Sequence, residues 1–216
     1  MTAAIATPIN HIKLAPGSAM IISGLTWKTY EALLQDLGDN RSTRIAYDQG
    51  VLEIRMPGEP HEIVNRLLAK IITVLAMELG MEANDFGSTT LNRETVDRGI
   101  EPDTCFYIQN EAAVRGKNRI DLETDPPPDL AIEIDLTSRT QFNNYEALGV
   151  PELWRYNGRN LQISVLQHGK YIQSDRSLQF PNFPITELIP QYLHQSKSAG
   201  RNVAMKAFRS WVKAQI

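Results

Sequence analysis

The chain has 216 residues, 42% of them hydrophobic and 22% charged, which suits one compact globular domain, with two small ones as the fallback. Its 22 Lys+Arg against 25 Asp+Glu exclude a uniformly basic nucleic-acid coat and a long acidic tail, so any nucleic-acid contact must be a local patch. A single cysteine, Cys105, excludes an internal disulfide framework and any Cys-based zinc or iron–sulfur site, and makes a reducing, cytoplasmic location the default expectation. No run of about 18 apolar residues occurs. The N-terminal stretch lacks a positive segment followed by a continuous apolar one, so neither a membrane span nor a signal peptide is expected.

Residues 1–22 show no sustained period and contain Pro8, Pro16 and Gly17, reading as an N-terminal arm ahead of a domain over 23–195. In LTWKTYEALLQDLG the apolar Trp27, Tyr30, Leu33, Leu34 and Leu37 recur at three and four residues. Thr26 can cap and Gly38 can stop a short amphipathic helix there. TRIAYDQGVLEIRMPG reads as a hairpin turning at Asp48-Gln49-Gly50, with Val51, Glu53 and Arg55 alternating against Leu52, Ile54 and Met56. After Pro60, the stripe Ile63, Val64, Leu67, Leu68, Ile71, Leu75 and Leu79 predicts a long helix ended by Gly80.

Residues 82–110 suggest two or three strands, ending in Cys105-Phe106-Tyr107-Ile108. In DPPPDLAIEIDLTS the prolines cannot donate to a ladder and so bound a strand, whose buried face is Leu130, Ile132, Ile134 and Leu136. A short helix over Phe142–Leu148 follows, then three strand-like segments with turns at Asn157-Gly158 and His168-Gly169. The fold class is α/β, mixed, with a central sheet flanked by helices. The last segment, 196–216, reads as a basic helix with Ala204, Phe208 and Trp211 on one face. Against a net charge of −3, the +5 of residues 197–216 leaves −8 on the rest. The tail either packs its apolar face on the domain or tracks phosphate or dimerises.

Two carboxylate pairs stand at a spacing of two in strand-like sequence, Glu101 with Asp103 and Glu133 with Asp135. That spacing puts each pair on one face of a strand. Glu133 and Asp135 interleave with apolar residues, where an ionised carboxylate is costly unless a metal or a cation compensates it. Mg²⁺ and Mn²⁺ suit such hard oxygen donors and promote phosphoryl-transfer chemistry. Equally, the pair can line a sheet face and bind Arg or Lys. Glu62 follows His61 at the head of the long helix, where an acid is favoured by the macrodipole with or without a role in a site. His61 has no histidine at i+4 and forms no zincin motif, and no Gly-rich phosphate loop or G-x-S-x-G elbow occurs. His11, His168 and His194 carry no assigned chemistry, and Cys105 reads as a buried small hydrophobe.

The stretches YDQGVLEIRMPGEPHEIVNRLL, GSTTL…GIEPDTCFYI, DPPPDLAIEIDLTS, YEALGVPELWRY and FPNFPITELIP together resemble the bacterial Uma-two family of proposed endonucleases, within the PD-(D/E)XK restriction-endonuclease-like superfamily, across roughly residues 25–195. The resemblance implies a restriction-endonuclease-like fold and a Mg²⁺- or Mn²⁺-dependent hydrolase that cuts phosphodiester bonds in DNA. Pro102-Asp103 resembles the PD of the motif, Glu133-Ile134-Asp135 its (D/E)XK element, and Glu62 the acid on the first core helix.

By that likeness Asp103, Glu133 and the Ile134 carbonyl would ligate metal. The lysine that orients the attacking water is replaced by Asp135, which cannot supply its positive charge. Lys117 or Arg139 would then bring the cation, or Asp135 would add a third carboxylate to the metal site, or the site would no longer cleave and the fold would serve as a module that binds nucleic acid or a protein. A symmetric homodimer would join two basic tails and match two strands to two sites.

Overall fold

In the computed structural model, residues 9–38, 41–136 and 144–216 are described. Their strands divide into two sheets. The first is wholly antiparallel, in the order β1 (Ala19–Ser23), β3 (Val51–Arg55), β2 (Arg44–Asp48), β6 (Arg98–Ile100) and β5 (Leu91–Arg93). The second has six strands, in the order β11 (Lys170–Ser174), β10 (Leu161–Gln167), β9 (Glu152–Tyr156), β8 (Leu130–Ile134), β7 (Thr104–Tyr107) and β4 (Asn84–Gly87). Among the described strands only β8 and β9 run parallel, and their connection carries α4 (Asn144–Leu148), as a parallel pair requires a crossover. This second sheet is the central mixed sheet expected from the sequence. The division of the strands into two sheets was not legible there.

The hairpin forms as predicted, with Gln49 and Gly50 at φ 43° and 90°, the left-handed pair a two-residue turn needs. Helix α1 (Trp27–Leu37) starts at Thr26, whose side chain accepts the Thr29 amide at 3.2 Å. Helix α2 (Glu59–Glu78) lays Leu67, Leu68, Ile71 and Leu75 on Leu130, Ile132, Ile134, Trp154 and Ile163 of the central sheet. Helices α5 (Ile185–Ala199) and α6 (Arg201–Lys213) complete that layer. Pro190 lies inside α5, and a proline within a helical pattern argues against the helix on sequence alone. A short α3 (Glu111–Val114) precedes the proline-rich loop.

Two details go beyond the sequence reading, each with a local cause. Residues 19–22, inside the stretch read as an N-terminal arm of open order, belong to β1, paired along its length with β3, because the edge of β3 offers their backbone a ladder. The stretch 82–110 holds four strands, two of them only three residues long, too short for alternation to register. Helix α4 is described only from Asn144; the expected start at Phe142 lies outside the described residues.

Helix α4 is wedged between the sheets. Asn144 Nδ2 donates to the carbonyls of Tyr47 and Gly99 at 2.8 and 2.7 Å. Tyr145, Leu148 and Val150 pack with Ala46, Leu91 and Ile100 of the first sheet and Ala131 and Leu153 of the second. Strand β8 therefore sends Leu130, Ile132 and Ile134 toward the helices and Ala131 and Glu133 into the interlayer. Among the described residues, no helix is long and apolar enough to cross a membrane.

Candidate active site

The chain passes from one sheet to the other at Glu101-Pro102-Asp103. The Glu101 amide donates to Ile45 O on β2 at 2.8 Å, and the Asp103 amide to Ile132 O on β8 at 3.1 Å. These residues are not strand, so the expectation that Glu101 and Asp103 project together from one strand face is corrected. Pro102 has no N–H for a ladder, and the pleat that would align the two carboxylates is absent. Glu101 accepts from the Ile45 amide at 3.1 Å and the Thr90 hydroxyl at 2.7 Å and pairs with Arg41. Burial nevertheless raises its pKa.

Asp103 is held from three sides. His61 Nε2 lies 2.9 Å from Oδ2, and the Ile134 amide donates to the same oxygen at 2.7 Å. Asn65 Nδ2 donates to the Asp103 carbonyl at 2.8 Å. His61 and Asn65 stand at i and i+4, so one face of the first turns of α2 clamps one residue. Oδ1, by contrast, is buried with no hydrogen-bond partner among the described residues.

Glu133, at 0% exposure, meets Arg55 Nη2 at 3.3 Å and accepts from the Tyr145 hydroxyl. Arg55 is the neighbour of Glu53 two residues back on the same face of β3, and both are buried. The charges of Glu133, Asp103 and Glu53 outweigh burial and hold the Arg55 guanidinium firmly protonated. Burial, then the nearby Asp103 charge, pushes Glu133 up to about 7 against the opposing pull of Arg55. Burial and Glu133 raise Tyr145, which stays a phenol and acts as donor.

The remaining expected residues are placed as follows. Glu62 sits at the head of α2, about a third exposed, in an ion pair with Arg44 Nη2 at 3.2 Å. Asp135 follows β8 and is met by Arg155 Nη1 at 3.5 Å. Ile134 enters through its amide. Lys117 pairs with Asp125 of the loop before β8, and neither Asp103 nor Glu133 is its partner. Arg139 lies outside the described residues. Sequence reasoning missed Arg55, Asn65, Tyr145 and Arg155, and left His61, with Glu62, open between end-stabilisation and a role at the site. For Arg55 the signal was present in the Glu53/Arg55 alternation of the hairpin, and for His61 and Asn65 in their helical spacing.

Among the described residues, no three His, Cys, Asp or Glu side chains converge into a ready metal cage. The donors that exist are nonetheless of the right kind, because Mg²⁺ takes one or two carboxylates and fills its octahedron with water. The orphaned Oδ1 of Asp103 is an acceptor that such a cation would satisfy.

The family model Uma2, described as "Putative restriction endonuclease", matches residues 27–194. A solved structure described as "a putative nuclease belonging to DUF820 from Anabaena variabilis ATCC 29413" is similar at 16% identity and TM-score 0.48, over 69% of this chain and 90% of that one. No curated protein matches the chain.

Proposed function

The chain belongs to the Uma2 family of restriction-endonuclease-like proteins, and from that premise we propose that it is a divalent-metal-dependent endonuclease hydrolysing phosphodiester bonds in DNA. The observation that carries this reading is Asp103, fixed through Oδ2 and the main chain while Oδ1 is buried without a hydrogen-bond partner among the described residues, beside the buried Glu133 on adjoining β8. Asp103 and Glu133, with the Ile134 carbonyl, would hold Mg²⁺ or Mn²⁺. When bound, the metal would lower the pKa of a water and neutralise charge on the phosphate.

The chain's own residues divide the remaining work. His61 and Asn65 orient Asp103. Tyr145 and Arg55 orient Glu133, and Arg55 sets a permanent positive charge beside both carboxylates. That charge stands where the sequence motif offers none, since Asp135 occupies the lysine position and is met by Arg155. Arg55, rather than Lys117, is therefore the cation assigned to offset the charge that builds up on the phosphate. Glu62, at the exposed edge, holds solvent or an outer water.

The basic C-terminal helix serves the fold in this reading. Arg209 and Lys213 of α6 pair with Glu78, sixteen residues along α2 from Glu62, which is about 24 Å at the helical rise. Ala204, Met205, Phe208 and Val212 are buried. Such a helix in one protomer lies remote from the carboxylates.

A second reading, a nuclease-fold module that binds without cutting, is favoured by the Asp135–Arg155 pair. The two separate in one experiment. Calorimetric titration with Mn²⁺ and Mg²⁺, followed by incubation with supercoiled plasmid, is run on wild type, Asp103→Asn and Glu133→Gln. Metal binding and nicking by wild type alone support the nuclease. Wild type without turnover in either metal, or cleavage unchanged in both variants, overturns it.

A further inference from the structure

A cleft of about 820 Å³ is walled by the end of α1, the start of strand β2 and the loops around residues 88–90 and 118–121. Its position is tied to the proposed active site at two points. Glu101 lines it two residues before Asp103. Arg44 also lines it and reaches out to Glu62 at the head of α2, next to the His61 that holds Asp103.

The lining has a particular chemistry. Three guanidinium groups, Arg41, Arg44 and Arg119, contribute to it, the side chain best shaped to fork onto phosphate oxygens. The Arg41 and Arg44 side chains are each only 11% exposed, and each has a buried Nε with no hydrogen-bond partner among the described residues. Arg41 gives its other donors to Glu101 and the Gly38 carbonyl and Arg44 one to Glu62, so the Nε of each is the donor left over. Phe86 adds an aromatic ring, set edge-on to Tyr107 at 5.1 Å. Hydroxyl and amide side chains make up most of the remaining wall.

Shape then selects among nucleic-acid forms. A duplex is read by protein elements that enter its grooves, the major groove being about 12 Å wide. A cleft does the converse and admits nucleotides that have left the stack. Its volume falls inside the roughly 300–1,000 Å³ typical of pockets that enclose small ligands. Guanidinium groups along a backbone path with an aromatic platform are the elements by which single strands are bound without base pairing.

We propose that this cleft holds a short unpaired segment of the nucleic-acid strand adjoining the scissile phosphate, so that the protein acts on single-stranded or locally opened DNA rather than on intact duplex. The inference rests on the nuclease reading above and specifies its substrate. Arg41, Arg44 and Arg119 take the phosphates, and Phe86 supports a base. The −8 charge outside the last 20 residues agrees with this: a body of that sign gains little from long-range attraction to duplex and needs a local site to hold a strand.

The test measures binding apart from cleavage. Fluorescence anisotropy in EDTA follows a fluorescein-labelled oligothymidylate, and the same strand annealed to its complement, against wild type, Ser88→Trp and Arg119→Glu. Ser88→Trp fills the cleft and Arg119→Glu reverses charge at its rim, and circular dichroism checks that both variants fold. The single strand is expected to bind wild type at least tenfold tighter than the duplex, and each variant to lose at least tenfold on the single strand. Equal or tighter duplex binding, or variants that bind like wild type, overturns the proposal. Cleavage of the same strand in Mn²⁺ is scored separately. Selective binding without cleavage leaves the cleft assignment standing and removes the nuclease reading, whereas cleavage without the single-strand preference does the reverse.

Discussion

His61 Nε2 lies 2.9 Å from Asp103 Oδ2, an oxygen that also accepts the Ile134 amide at 2.7 Å. One carboxylate oxygen is thus saturated by α2 and β8 while its twin has no hydrogen-bond partner among the described residues. The carboxylate's direction is set by the packing of a helix on a sheet, which is rigid, rather than by a loop.

Because His61 orients Asp103, His61→Ala is expected to lower metal-dependent cleavage at least tenfold and to weaken Mn²⁺ binding. Loss of one buried hydrogen bond should cost about 1–2 kcal/mol of stability. Single-turnover cleavage and urea unfolding check the two effects. A variant with wild-type metal affinity would show that Asp103 is positioned without the imidazole.

Arg55 and Glu133 are 7% and 0% exposed, so removing the cation leaves a buried carboxyl that is either charged without its partner or driven to take up a proton. Arg55→Met should destabilise the protein by about 3–5 kcal/mol. Adding Glu133→Gln should recover a substantial part of that loss. A double-mutant cycle in urea reads the coupling, and additive effects would show that the two groups do not compensate one another.

Glu133 has an inverted pH signature. Its native pKa is raised from 4.5 to about 7, so between those values the native state binds more protons than the unfolded chain. Stability linked to this group therefore falls as pH rises from 4.5 to about 7, opposite to a carboxylate held by a strong ion pair. Unfolding free energies compared across that window should decline more steeply in wild type than in Glu133→Gln. Parallel curves would show that the carboxyl is not raised.

Gly99 of β6 lies beside its sheet neighbour β5 and under helix α1. A methyl group there would collide with the Tyr30 hydroxyl and the Asn92 carboxamide, which are hydrogen-bonded to each other at 2.6 Å. Gly99→Ala is expected to cost about 1–3 kcal/mol through overpacking. Chemical denaturation measures it, and a neutral substitution would show that Tyr30 can move aside.

The amino-acid sequence by itself determined the elements whose signal is contiguous. The stripe from Val64 to Leu75, the Thr26 cap, the Gln49-Gly50 turn and the alternation around Leu130 to Ile134 are each written in neighbouring residues. Periods of 3.6 and 2 follow from backbone geometry alone. The family likeness drew attention to Asp103 and Glu133 through short motifs of the same contiguous kind.

Tertiary structure alone decided who meets these carboxylates. Arg55 reaches Glu133 across 78 residues of sequence and His61 reaches Asp103 across 42. Glu101, two residues from Asp103, departs into another sheet because Pro102 sits at the crossing. Lys117, near enough to the motif to seem a fitting cation, is taken by Asp125. Nothing local specifies such partners, because each depends on how two sheets stack and which register their strands adopt. The charge environment of a buried site is a property of that packing, and Arg55 and Glu53 enter it only once the hairpin lies over β8.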